Sequence, residues 1–316
     1  MDVERLLDPE IAAALTALAM PPLKLNNEML PEMREQRRSQ AEAAKRSDAV
    51  QRHDIMVPGT EGDPDIRLHI TRPKGAADAS LGCLYWVHGG GYVSGLAEQN
   101  DPMFDHLCTT LNCSGVSVAY RLSPETPYPG ALHDCYAGLL YTYLHAGELG
   151  IDPARIGIGG ASAGGGLAAG LGLLARDRAQ VPVAFQYLVY PMIDDRQVTE
   201  SSTWDVPVWS PTANTFGWKA YLGDLYGSTD IPAYAAPTRA TDLSGLPPTY
   251  VLVGSLDGFL DEDVDYAARL NRAGVPTELH VYPGAPHGFD AFLPGTELSR
   301  RARVASDDWL NRMLNP

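Results

Sequence analysis

The chain has 316 residues, and 39 Asp and Glu against 24 Lys and Arg leave a net charge of −15. Such a surface repels phosphate backbones and anionic membranes, so nucleic-acid and membrane-surface partners are excluded, whereas a small neutral substrate meets no barrier. With 45% apolar and 20% charged residues, the chain buries a large core, and at ~150 residues per domain its length fits two domains or one large α/β domain with an appendage.

Residues 1–48 read as helical, with an amphipathic stretch over 11–20, a break at Pro21-Pro22 and a charged helix over 31–46. The leader ahead of this stretch is acidic rather than basic, unlike a secretory signal. No run approaches the ~18 apolar residues of a membrane span. Strands are predicted over 51–57 and 66–71, separated by Pro58-Gly59 and Gly62-Asp63-Pro64, as an antiparallel pair at a sheet edge. Residues 81–87, 114–120, 155–159, 183–190 and 249–253 are continuous apolar runs, the pattern of parallel strands covered on both faces. Helical stretches lie between them at 101–111, 133–147, 163–176 and 261–273, and a strand over 276–282 precedes a closing helix over 297–314. This alternation predicts an α/β fold with a mostly parallel central sheet flanked by helices. Almost sixty residues separate the strands ending at Tyr190 and starting at Thr249, and they hold Trp204, Trp209, Phe216, Trp218 and Tyr221. An aromatic insertion after a strand's carboxyl end suits a cap over an active site; the alternative is that these rings pack a helix onto the sheet. Cys83, Cys108, Cys113 and Cys135 stand singly and are read as free thiols of a cytoplasmic protein.

Three strand-end loops carry the chemistry. Gly160-Ala161-Ser162-Ala163-Gly164 is a G-x-S-x-G run, expected about 0.15 times by chance from this composition, so its context decides. It stands between a predicted strand and a predicted helix, as a nucleophile elbow does, where small neighbours are needed around a strained serine. A phosphate-binding turn is the competing reading, but no G-x-G-x-x-G or Gly-Lys-Ser/Thr is completed. His88-Gly89-Gly90-Gly91 follows the strand ending at Val87, and three glycines free their N–H groups to converge on an oxyanion. His287 lies in the loop after the strand over 276–282, and Asp257 just past the strand ending at Val253. The order Ser162, Asp257, His287 is that of a nucleophile, its orienting acid and its base in an α/β-hydrolase. Asp261, Glu262 and Asp263 crowd the same helix start, where the helix dipole also favours carboxylates. No H-E-x-x-H or cysteine cluster supplies a metal ligand set, and no cofactor is expected.

These motifs together resemble the hormone-sensitive-lipase-like (bacterial family IV) esterases of the α/β-hydrolase superfamily. The resemblance rests on His88 to Gly91, on Gly160 to Gly165, on Tyr120-Arg-Leu-Ser-Pro-Glu125 with Tyr128-Pro-Gly-Ala131, on Asp257 with Asp261-Glu262, and on His287-Gly-Phe289. It implies Ser162 as nucleophile, His287 as base, Asp257 as its partner, and the amides of Gly89, Gly90 and Ala163 as the oxyanion hole. It further implies an α/β-hydrolase core over 49–194 and 232–316, a helical cap from 1–48 and 195–231, and frequent homodimers. Members usually carry Asp or Thr where this chain has Ala161. The activity implied is serine carboxylesterase on short- to medium-chain acyl esters, small-molecule substrates, with Tyr92, Trp209 and Phe216 expected to line the pocket. An amidase or arylformamidase on the same residues, and a receptor of this fold without catalysis, are the alternatives.

Overall fold

The computed structural model describes residues 3, 5–18, 25–60, 62–76 and 79–316. In chain order its elements are helices α1 (Pro9–Leu18) and α2 (Leu30–Ala43), strands β1 (Val50–Val57), β2 (Ile66–Pro73) and β3 (Leu81–Val87), helix α3 (Asp101–Leu111), strand β4 (Ser114–Ala119) and helix α4 (Gly130–Leu144). Strand β5 (Ile151–Ala161), helix α5 (Ala163–Arg178), strand β6 (Gln186–Val189), helix α6 (Pro211–Leu222), strand β7 (Thr249–Leu256), helix α7 (Leu260–Arg272), strand β8 (Thr277–Pro286) and helices α8 (Phe289–Phe292) and α9 (Glu297–Leu314) complete it. Pro21-Pro22 and the end of the first predicted helix lie outside the described residues.

The strands form one sheet in the order β1-β2-β4-β3-β5-β6-β7-β8. β1 pairs antiparallel with β2 and β2 antiparallel with β4, while every pairing from β4 through β8 is parallel. Every residue of β3 and β6 is buried, as their unbroken apolar sequences require of strands with helices on both faces. β1 buries only Val50 and Val57 at its ends and leaves the side chains between them partly or fully exposed, which suits an edge.

Two cores lie against the sheet. One joins β2, β3 and β5 with α4, α5 and α7, and the other joins β6 and β7 with α1, α3 and α9. α5 is buried continuously from Ala163 to Ala175, because glycine and alanine let it lie close to its neighbours: a Cβ on Gly170 would sit 2.2 Å from the Tyr234 carbonyl oxygen. On the opposite face Trp309 of α9 packs against Phe185 and Tyr250 at ring distances of 5.6 and 5.3 Å.

Several boundaries differ from expectation. α4 begins at Gly130 rather than near 133 and ends at Leu144, and β6 is only four residues long, although Ala184 N already donates to Ile156 O and Phe185 O accepts from Ile158 N of β5. β8 extends to Pro286, which brings its end directly to His287. In the stretch 195–231, α6 sits where the aromatic insertion was expected. Its Trp218 and Tyr221 are fully buried against Tyr92, the first tilted at 5.3 Å and the second stacked at 4.0 Å, so these two rings pack the helix down rather than face a substrate.

Candidate active site

β5 ends at Ala161, and the chain turns within one residue into α5. Ser162 makes that turn with φ 58 and ψ −123, a backbone conformation that costs energy for a residue with a side chain. The turn is closed by Ser162 N donating to Val189 O at 2.9 Å, while Ser162 O accepts from Gly166 N and Met192 N. Its glycines are obligatory for packing. A Cβ on Gly160 would lie 2.2 Å from Gly164 O, and one on Gly164 would lie 2.1 Å from Val87 O. The serine is thereby pressed against the end of β3 and the glycine loop that follows it, with its Oγ left at the head of the sheet.

β8 and β7 supply the rest. His287 Nε2 lies 2.9 Å from Ser162 Oγ, and His287 Nδ1 lies 2.7 Å from Asp257 Oδ2. Asp257 is fully buried and its other oxygen accepts from Phe259 N at 3.0 Å. Tyr190, Phe259 and Trp209 surround the imidazole with ring distances of 4.7, 5.1 and 6.3 Å, which fixes its plane and keeps bulk water off. In this arrangement the imidazole can take the serine's proton while the carboxylate orients the ring and stabilises its charged form.

The acids crowding the start of α7 separate by partner. Asp261 accepts from Ser201 N at 2.9 Å, and Glu262 accepts from Ile193 N and Asp194 N at 3.1 and 3.2 Å. Burial pushes the carboxyls of Glu262 and Asp263 well above their usual range, favouring their neutral forms beside Asp257. Only Asp257 reaches the histidine.

The glycine loop lies against the elbow. A Cβ on Gly89 would meet Ala161 O at 2.7 Å and Ser162 Cβ at 3.4 Å, so its backbone is within reach of any group on the serine. The carbonyls of the loop are turned away and held: Gly89 O accepts from Gln99 Nε2 at 3.3 Å, and Gly90 O from Ser94 N and Oγ at 3.0 Å. The N–H groups of Gly89 and Gly90 have no acceptor among the described residues, and Ala163, first residue of α5, heads a helix whose leading amides lack intrahelical partners. His88 underpins the loop from beneath, stacked on Tyr120 at 4.2 Å while Tyr120 Oη donates to His88 O at 2.8 Å.

Ser162 and His287 open into a cleft of about 480 Å³, whose lining includes Gly89, Gly90, Gly91, Met103, Tyr190 and Trp209. Trp209 covers Gly91 so closely that a Cβ there would lie 2.4 Å from its ring. Tyr92 and Phe216 do not line this cleft. Tyr92, at φ 66, turns inward and donates to Met192 O at 2.9 Å, and Phe216 of α6 is half-buried. Residues the sequence reading passed over do line it, among them Arg37 from α2, Gln99, Asn100, His106 and Arg303; no strand-end motif marks them.

Asp54, His69 and Glu98 also come together, their ligand atoms within 4.8 Å of one another. Arg67 already bridges the two carboxylates at 2.8 and 2.5 Å and His69 bonds Asp54 and Asp101, so this is an ion-pair network rather than a cation site.

A model of the α/β-hydrolase fold matches residues 84–291. The carboxylesterase NlhH of Mycobacterium tuberculosis is 34% identical over 274 residues, covering 85% of this chain and 80% of the relative. Among solved structures, a bacterial heroin esterase is 44% identical with a TM-score of 0.93 over 99% of both chains, and the esterase LipW of Mycobacterium marinum is 35% identical with a TM-score of 0.88 over 100% and 98%.

Proposed function

The chain belongs to the hormone-sensitive-lipase-like branch of the α/β-hydrolases and is a carboxylic ester hydrolase, and on that premise we propose that it is a serine carboxylesterase acting through Ser162, His287 and Asp257. Ser162 Oγ attacks the ester carbonyl while neutral His287 takes its proton at Nε2. Asp257, bonded at Nδ1, fixes the tautomer and supports the imidazolium. The amides of Gly89, Gly90 and Ala163 receive the negative charge on the carbonyl oxygen, each such donor typically worth ~3–4 kcal/mol in the transition state. The leaving alcohol takes the proton from His287, and water then repeats the sequence on the acyl-enzyme.

The observation that carries this reading is the pair of hydrogen bonds of 2.7 and 2.9 Å ending on a serine held at φ 58. The substrate class is small acyl esters of short to medium chain, in keeping with a cleft of about 480 Å³ roofed by Trp209. A cytoplasmic location is supported by four cysteines that are all free, and a homodimer follows from the family resemblance.

Hydrolysis of a p-nitrophenyl ester series by the wild type and Ser162→Ala tests the proposal. The variant is expected to lose about 10⁴-fold or more in kcat. Equal rates for the two proteins would sink the catalytic reading, and a wild type slow on every ester but fast on formanilides would replace the esterase by an amidase.

A further inference from the structure

Helix α2 carries three arginines, and two of them are neutralised. Arg34 meets Glu125 at 2.7 Å and Arg38 meets Glu35 at 2.6 Å. Arg37, which lines the cleft of Ser162 and His287, has no hydrogen bond or ion pair among the described residues. This is unexpected in a chain with 39 acids, since a partly desolvated cation without a counterion is costly.

The acids in the same cleft do not answer it. Asp307 is bonded to His106 at 2.6 Å, and Asp290 accepts from Tyr190 Oη at 2.9 Å while burial raises its pKa. Burial lowers the pKa of Arg37, and the ionisable groups that feel its charge are Tyr120 and His88, neither of them an acid that neutralises it. A second group in the cleft is also unanswered: Asn100 has a buried side-chain oxygen with no partner. Side-chain amides read equally well with nitrogen and oxygen exchanged, so Asn100 is placed to donate as well as accept. Arg303 of α9, exposed, also lines the cleft.

We infer that this cleft takes esters bearing a second, anionic group, a carboxylate held by Arg37 apart from the scissile bond. The inference rests on the serine-esterase reading and specifies its substrate class. A guanidinium presents paired N–H donors that match a carboxylate's two oxygens. The net charge of −15 works against anionic ligands at a distance, so selection for one has to come from a local cation such as this.

The test compares matched esters on wild type, Arg37→Gln and Arg37→Lys, after subtraction of the uncatalysed rates. The acyl-side pair is mono-4-nitrophenyl glutarate against 4-nitrophenyl valerate; the alcohol-side pair is 4-acetoxybenzoate against phenyl acetate. Wild type is expected to favour the anionic member in at least one pair. In that pair Arg37→Gln lowers the anionic-to-neutral ratio of kcat/KM about tenfold or more, chiefly through KM, and Arg37→Lys retains part of it. A wild type that prefers the neutral member of both pairs overturns the inference whether or not the variants fold, as does a ratio unchanged in Arg37→Gln. Ser162→Ala run on the same esters separates the two failures. If it abolishes turnover while the wild-type ratios favour neutral esters, only the carboxylate site falls; if it does not, the serine-esterase reading falls.

Discussion

His88 has a task that its place at the head of the glycine loop does not announce. Its ring is buried against Tyr120 with Nδ1 3.1 Å from Gly89 O, and burial lowers its pKa from 6.5 to about 4. The folded protein therefore binds this proton less readily than the unfolded chain, and the folded state gives up stability as pH falls through the window from about 6.5 to about 4. The loss from this group approaches ~3 kcal/mol at the acid end, at 1.36 kcal/mol per pH unit. Denaturant unfolding of wild type and His88→Phe at pH 6.5 and 4.5 checks it: the variant is expected to be weaker at pH 6.5 but to lose less on acidification. Equal losses would remove His88 as the source. His69, held between Asp54 and Asp101 with a raised pKa, contributes with the opposite sign in both proteins and cancels in the comparison.

At this scale Ser162, Asp257 and His287 are legible in the sequence, since each occupies a strand-end loop in an order that leaves few competitors. Side-chain direction is not. Tyr92 turns inward because its backbone takes a positive φ, and no local pattern in the sequence dictates that. Arg37 is invisible for a related reason, because lacking a partner is a property of the assembled cleft.

Among the elements, α2 is tied to the catalytic side of the sheet through Arg34. Arg34 donates to Val93 O at 2.8 Å, to Ser123 O at 2.9 Å, and to both oxygens of Glu125 at 2.7 and 2.8 Å. It thus joins α2 to the segment after the glycine loop and to the loop after β4. Glu125 is 60% exposed at its side chain, so its share is small, and the two carbonyls matter more. Arg34→Ala is expected to raise KM several-fold with a smaller change in kcat, and to speed proteolysis within 28–46, while Glu125→Gln does much less. Limited proteolysis with steady-state kinetics checks this; identical digestion patterns would show that α2 is held by its other contacts. Strands and helices of the core are legible as elements because unbroken apolar runs have no other use in a two-faced sheet. The insertion is read only in part, since Trp209 faces the cleft whereas Trp218 and Tyr221 pack α6 down, and the phase of a helix that dips into a core is set by what it meets.

For the molecule as a whole, the four cysteines report on cooperativity. All are free and at most 1% exposed, and burial raises the pKa of Cys83 and Cys135, so thiolate is scarce and access requires opening. Titration with a chromogenic disulfide is expected to find four thiols in guanidinium and almost none in the native protein over minutes. Prompt native reaction of any one would reveal a local opening near its strand or helix.

Composition, motif order and apolar runs by themselves determine an α/β sheet, the nucleophile elbow and the placement of chemistry at strand ends, because these depend on neighbours a few residues apart or on how many faces a segment must bury. The tertiary structure alone decides which of the expected aromatics roofs the cleft, that β2 joins β4 antiparallel, and that an arginine from α2 stands in the cleft without a counterion. Those outcomes turn on directions and distances between segments far apart in the chain, which sequence proximity does not encode.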